Sequence, residues 1–216
     1  MSPRPWVPVA LLGALLAACS GSVQKGSSDS GTSGDGPGHG CPASPSAVYL
    51  TSTIGPGPSV ASTCQIAETT PALEIGSVRS GVITGTAGTT VTCSVVPSGS
   101  GFDVSADVTT SEGSFAVSGT LPSTGTGGGI TASVDYEPGG TSPILFSGTG
   151  CSVTLANAET PGFDPSTGPP IAAGRVWATV TCDDMTVSGQ PADACKGILT
   201  FRLENCAGSP PGGACP

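Results

Sequence analysis

"FDVSADVTT", residues 102–110, alternates without a break: Phe102, Val104, Ala106 and Val108 fall on one side of an extended chain, and Asp103, Ser105, Asp107 and Thr109 on the other. Successive side chains of a β-strand leave opposite faces, so this stretch reads as a strand with one buried and one wet face. A sheet built of such strands has an apolar face that must be covered, and two sheets packed face to face cover each other.

The same pattern runs outward in both directions. "SFAVSGTL" (114–121) follows after "SEG", which predicts a hairpin. In "GITASVDYE" (129–137) Ile130, Ala132, Val134 and Tyr136 align, and in "GRVWATVTC" (174–182) Val176, Ala178, Val180 and Cys182 share a face. "PILFSG" (143–148), "CSVTLA" (151–156) and "GILTFRLENC" (197–206) are further strands. Upstream, "VYLTST" (48–53), "VASTCQIAE" (60–68) and "GVITGTAGTTVTCSVV" (81–96) read the same way, the last with Val91, Cys93 and Val95 aligned. "PSGSG", "PSTGTGGG", "EPGGTSP" and "NAETPGFDPSTGPPIAAG" separate them with turn and loop chemistry. The expected fold is all-β, a disulfide-stapled antiparallel β-sandwich of seven to ten strands with jelly-roll or Ig-like topology; an open β-barrel is the alternative. Its core should be small side chains, chiefly Val, Ala and Ile, with few aromatics.

Composition agrees: 34 Gly and 21 Pro in 216 residues favour short strands and turns over helices. With 15 Asp+Glu against 6 Lys+Arg the net charge is -9, which provides no electrostatic footprint for nucleic acid or an anionic bilayer. Nine cysteines without a CxxC pair, and a single histidine, argue against a zinc or thioredoxin-like centre and for disulfides in an oxidising compartment.

The N-terminus explains the odd cysteine. Arg4 precedes "VPVALLGALLAA" (7–18), an apolar run too short to span a bilayer and the right size for a signal-peptide core. Leu16-Ala17-Ala18-Cys19 then resembles the lipobox of bacterial lipoproteins. The resemblance implies cleavage before Cys19, a diacylglyceryl thioether on its sulfur, and a further acyl chain such as palmitate on the new amino group; two or more chains anchor stably. Residues 1–18 are then a signal peptide. Residues 19–40, with Val23 as their only sizeable apolar side chain, form a flexible tether reaching roughly 25 Å, and His39 belongs to its composition. Residues 41–216 are the β-domain. Ser20 after the lipidated cysteine implies the outer membrane, facing the periplasm or the cell surface. The remaining Cys41, Cys64, Cys93, Cys151, Cys182, Cys195, Cys206 and Cys215 suit four disulfides, and 105 pairings are open. By parity Cys93 and Cys182 lie on inward faces and could cross-link the sheets; Cys182 could equally pair with Cys195 and close a short loop, and closeness in sequence suggests a local tie between Cys206 and Cys215.

A second resemblance covers residues 77–206. The segments 90–121, "GCSVTLA" (150–156), "AAGRVWATVTCDDM" (172–185) and "FRLENC" (201–206) are similar to small secreted lipoproteins of myxobacteria and their relatives. That group implies no activity.

Candidate chemistry is sparse. No G-x-S-x-G elbow or Walker phosphate loop occurs, and "GTGGG" (125–129) has the flanks of a hairpin turn. Asp103 and Asp107 stand two alternations apart, roughly 13 Å, too far to share an ion. Asp135 with Glu137, and Asp183 with Asp184, are oxygen-ligand candidates for Ca²⁺, the one cofactor considered. Trp177 has the opposite parity to Val176 and should face outward beside Arg175; with Tyr136 these are the binding candidates, unless the loop 157–174 covers the indole. The expectation is a non-catalytic, lipid-anchored envelope or surface protein with a structural, adhesive or assembly role. Its partners would be the membrane, through lipid, and envelope or matrix proteins or glycans, with no nucleic acid. The alternative is a glycan- or calcium-binding module, and the third reading an envelope hydrolase using carboxylates.

Overall fold

The computed structural model describes residues 45–57, 64, 66, 69–77, 81–136, 144–188 and 190–208, with the backbone alone at 190–193. The expected signal peptide and tether, with Cys19 and His39, lie outside these residues, as do Cys41, Glu137 and Cys215. The described residues form eleven strands: β1 Ala47–Pro56, β2 Thr70–Ile75, β3 Val82–Ile83, β4 Thr90–Ser98, β5 Gly101–Thr109 and β6 Gly113–Pro122. β7 Thr126–Tyr136, β8 Ile144–Leu155, β9 Ile171–Ala172, β10 Arg175–Val187 and β11 Gln190–Glu204 complete the set.

All of them belong to one antiparallel sheet in the order β2-β1-β11-β10-β8-β7-β6-β5-β4, with β3 paired to β1 and β9 to β10. The chain meanders through β4 to β8, and the first strand lies against the last in unbroken register from Ala47↔Glu204 to Pro56↔Cys195. Residues 102–110 sit in β5 as their alternation requires, with Val104, Ala106 and Val108 buried and Asp103, Asp107 and Thr109 exposed.

The all-β, antiparallel, disulfide-stapled character expected from sequence is present, but one sheet replaces two. Its curl follows from two distances. Phe115 of β6 and Phe201 of β11 stand four strand steps apart, roughly 19 Å in a flat sheet, yet their ring centroids are 5.4 Å apart. β4 lies six steps from β11, roughly 29 Å if flat. Nevertheless Cys93 of β4 is bonded to Cys206 just beyond β11, and Ser94 bridges Ala207 in parallel. The sheet therefore rolls around its own apolar face, closer to the open-barrel alternative than to two stacked sheets.

The seam beside β4 is hydrogen-bonded. Val95 N–H donates to Ala207 O, Ala207 N–H to Cys93 O and Gly174 N–H to Val95 O, each at 2.9 Å. Main-chain groups that would otherwise make β4 an open sheet edge are thereby paired. The core inside the curl holds Phe115, Phe146 and Phe201 among its largest fully buried side chains, with Leu50, Leu121, Leu199 and Leu203. Val, Ala and Ile supply half of the buried apolar side chains, as expected, and the curled sheet also encloses enough depth for three fully buried phenylalanines.

Several elements depart from the alternation-based reading. Cys64 and Ile66 lie outside any strand, whereas 70–75, with Pro71, forms the edge strand β2. Residues 143–148 and 151–156 join into one strand, because Gly148 and Gly150 make an irregularity in β8 rather than a turn. At Gly148 a methyl would lie 2.9 Å from Cys182 Cβ and 3.0 Å from Cys151 Sγ, so only a hydrogen leaves room for the adjacent disulfide. β1 and β2 slip register between Thr51 and Thr53, and buried Ser52 bridges the slip. Its Oγ donates to Leu73 O at 2.9 Å and accepts from Leu73 N–H at 2.8 Å, replacing both missing ladder bonds.

The three described disulfides are Cys64–Cys195, Cys93–Cys206 and Cys151–Cys182. Neither a Cys93–Cys182 nor a Cys182–Cys195 bond is formed, and Cys206 is bonded to Cys93 rather than to Cys215. Cys182 faces and is bonded to Cys151 across adjacent strands, while Cys195, opposite Met185 in the β10–β11 register, is bonded to Cys64. Cys206 ties the seam to β4 instead of the terminus to Cys215.

Candidate functional site

Outside the curl the sheet presents hydroxyls. Thr126, Thr154, Thr179, Thr200 and Thr51 face one another in register across five adjacent strands, and the Thr179 and Thr200 hydroxyls are 3.0 Å apart. Thr120 Oγ1 of β6 donates to Asp103 Oδ1 of β5 at 2.7 Å, and with the Ser98 hydroxyl it holds this exposed carboxyl below the usual range. Asp107 stands on the same outer face, as alternation predicts.

Among the described residues the metal candidates do not converge. Asp183 binds Lys196 Nζ at 3.0 Å, while Asp184 is exposed next to it at the β10–β11 register shift. Asp135 is on β7, opposite Ser114 and Leu145, and Glu137 lies outside the described residues. Among the described residues no three His, Cys, Asp or Glu gather closely enough to hold a metal ion.

Asp135 nonetheless occupies the most distinctive polar place on the surface. The β5–β6 turn, residues 109–114, and the end of β7 border one depression of about 320 Å³ lined by Ser111, Glu112, Ser114, Asp135 and Tyr136. The turn is preorganised: Thr110 Oγ1 donates to Gly113 O at 3.1 Å and accepts from Glu112 N–H at 3.1 Å. Ala72 and Leu73 of β2 meet Ser111, Glu112 and Tyr136 in an adjoining hollow. Asp135 Oδ1 is shielded from water and has no hydrogen-bond partner among the described residues. A carboxylate oxygen in that state costs free energy until a donor or cation reaches it. Tyr136, a binding candidate by sequence, is buried and stacks on Phe146 with centroids 5.8 Å apart, so only its margin borders the depression.

Trp177 faces outward as parity requires, but it is covered. Ala156, Phe163 and Trp177 form a small apolar cluster apart from the main core. Phe163 meets the indole edge-on at 5.2 Å, and the Arg202 guanidinium lies 5.4 Å from the ring centroid. An indole 7 % exposed is no open contact point, which corrects the first reading of Trp177 and bears out the covering loop. Arg175 Nη1 donates to Thr167 O at 3.1 Å, holding that loop rather than flanking an open ring.

Sequence reading missed Glu112, Ser114, Arg202 and Phe163. The first two belong to a stretch read as a turn and its following strand; Arg202 reaches Trp177 only through the β10–β11 register. Phe163 carried a usable signal, a lone large apolar residue inside a long Pro/Gly/Thr loop. Comparison with known proteins adds no relative: no family model, curated protein or solved structure matches the chain.

Proposed function

We propose that this is a non-catalytic binding module, displayed on a bacterial envelope by lipid on Cys19, whose open site is the depression beside Asp135. The observation carrying this reading is the shielded, unpartnered Asp135 Oδ1 at a hydroxyl-lined hollow. A neutral glycan suits it: a carboxylate accepts hydrogen bonds from neighbouring sugar hydroxyls, and Ser111 and Ser114 can both donate and accept. Calorimetric titration with neutral oligosaccharides, and separately with Ca²⁺, tests it. Sugar binding that disappears in Asp135→Asn supports the reading; Ca²⁺ binding alone would make the site a cation site; no heat with either would end it.

An architectural or adhesive role is the second reading. It draws on the hydroxyl rank Thr126–Thr154–Thr179–Thr200–Thr51, a broad face of small groups with few charges. Release of reducing ends from a bound polysaccharide would instead favour the hydrolase reading, with Glu112 and Asp135 as its carboxylates. Intact mass of detergent-extracted protein tests the anchor: a lipid mass on a chain beginning at Cys19 supports it, and an unlipidated chain excludes it.

A further inference from the structure

The apolar cluster at Trp177 is built unlike a structural plug. Its cover, residues 157–170, presents one buried side chain to the sheet, Phe163, while most of its remaining side chains are exposed. Several of its hydrogen bonds are internal: Thr160 N–H to Asn157 O at 2.9 Å, Asn157 N–H to Thr160 Oγ1 at 2.9 Å, and Ser166 N–H to Asp164 Oδ1 at 2.8 Å. To the strand below it is tied by Arg175 Nη1 to Thr167 O and by Trp177 N–H to Pro170 O at 2.7 Å. A segment ordered within itself and lightly held to its neighbours opens at low cost.

Beneath it the indole Nε1–H is buried and has no acceptor among the described residues. Two of the six cationic side chains of an otherwise acidic chain lie near this ring in the fold: Arg202 is cross-strand from Trp177 with its guanidinium 5.4 Å from the ring centroid, and Arg175 stands two residues before it in β10. Arg202 already holds a carboxylate here: its Nη2 donates to Glu204 Oε2 at 2.6 Å. The place thus offers an aromatic surface, an unused N–H donor and a guanidinium engaged with a carboxylate that a ligand's own could replace.

We propose that residues 157–170 are a displaceable cover, and that Trp177 with Arg202 beneath it forms a second binding site, for a sugar bearing a carboxylate. The sugar's apolar face would take the place of Phe163 against the indole. Its carboxylate would accept from Nε1–H and from Arg202, which leaves Glu204 for solvent. This site is separate from the depression at Asp135 and stands or falls independently of it.

Trp6 and Trp177 are the only tryptophans, and Trp6 lies in the segment that the proposed cleavage before Cys19 removes, so the mature chain reports Trp177 alone. Acrylamide quenching and titration with tetragalacturonate, against neutral galactotetraose, read the cover and the ligand. Phe163→Ala should raise quenching and tighten tetragalacturonate binding ~3-fold or more, because it enlarges the binding-competent fraction. Bound tetragalacturonate should protect the indole from acrylamide. Adding Arg202→Gln should abolish binding of the acidic oligomer, whereas Asp135→Asn should leave it intact. A circular-dichroism melt of each variant confirms the fold. Quenching unchanged by Phe163→Ala would overturn the cover. An uncovered indole that ignores tetragalacturonate, or that binds galactotetraose equally well, would overturn the site.

Discussion

Removing the Cys64–Cys195 and Cys93–Cys206 disulfides, singly and together, should reveal a coupling set by the way they share one ring. Their sequence separations are 131 and 113 residues, so either bridge acting alone closes a very long loop. In the chain-entropy account such a closure stabilises by about 4.8 kcal/mol. With both present, each closes only the ring made of residues 64–93 and 195–206, roughly 40 residues, and contributes about 3.9 kcal/mol. Cys93→Ala/Cys206→Ala and Cys64→Ala/Cys195→Ala should therefore cost similar amounts. The quadruple variant should cost about 1 kcal/mol more than their sum, above the ~0.3–0.5 kcal/mol within which independent sites add. Local cavity effects occur in both arms and cancel in the cycle. Urea unfolding followed by two probes checks two-state behaviour and supplies the free energies. Strict additivity would refute the argument, since it is what short local pairs such as 64 with 93 and 195 with 206 would produce.

Ser52→Ala should destabilise by about 1–3 kcal/mol in the same assay, because Leu73 N–H and C=O are left buried without partners. Gly197→Ala should cost about 1–3 kcal/mol through overpacking against Met185 and Ile54, and a truncating change at Met185 should relieve part of it. Asp103 and Asp164 are held below 3.8, the first by the Thr120 and Ser98 hydroxyls and the second by the Ser166 hydroxyl and N–H. A carboxyl depressed on folding contributes above its unfolded pKa and loses that contribution as pH falls through the folded value. Carbon-detected NMR titration should place both midpoints below 3.8, with Asp103 returning toward 3.8 in Thr120→Val. Asp135→Asn should melt no lower than the unsubstituted protein, since it removes a charge from a place where Oδ1 has no partner among the described residues; a marked loss of stability would show Asp135 to be structural.

Alternation in the sequence sufficed for the strands and for which way most side chains point. Residues 102–110, the β6 and β7 faces and the outward turn of Trp177 are local consequences of a period of two. It did not suffice for β2, where Pro71 breaks strand propensity and pairing with β1 overrides it, nor for β8, whose Gly148–Gly150 irregularity looks like a turn. Whether apolar faces meet as two sheets or one rolled sheet depends on contacts such as Phe115 with Phe201, which join residues far apart in the chain. The Cys93–Cys206 pairing followed from that roll and Cys151–Cys182 from β8 lying beside β10, so face parity at Cys93 and Cys182 left both open. The same holds for the sites: Asp135 could be placed on an outer face, but the shielding of its oxygen arises where the β5–β6 turn meets the end of β7.

The most direct test of the binding-module account is an amide NMR titration of the full chain with neutral oligosaccharides and, in a second sample, with Ca²⁺. The account predicts saturable shifts confined to residues 109–114 and 135–136 on adding sugar, and their loss in Asp135→Asn. Neither ligand moving those amides, with the protein folded and its disulfides intact, would contradict it.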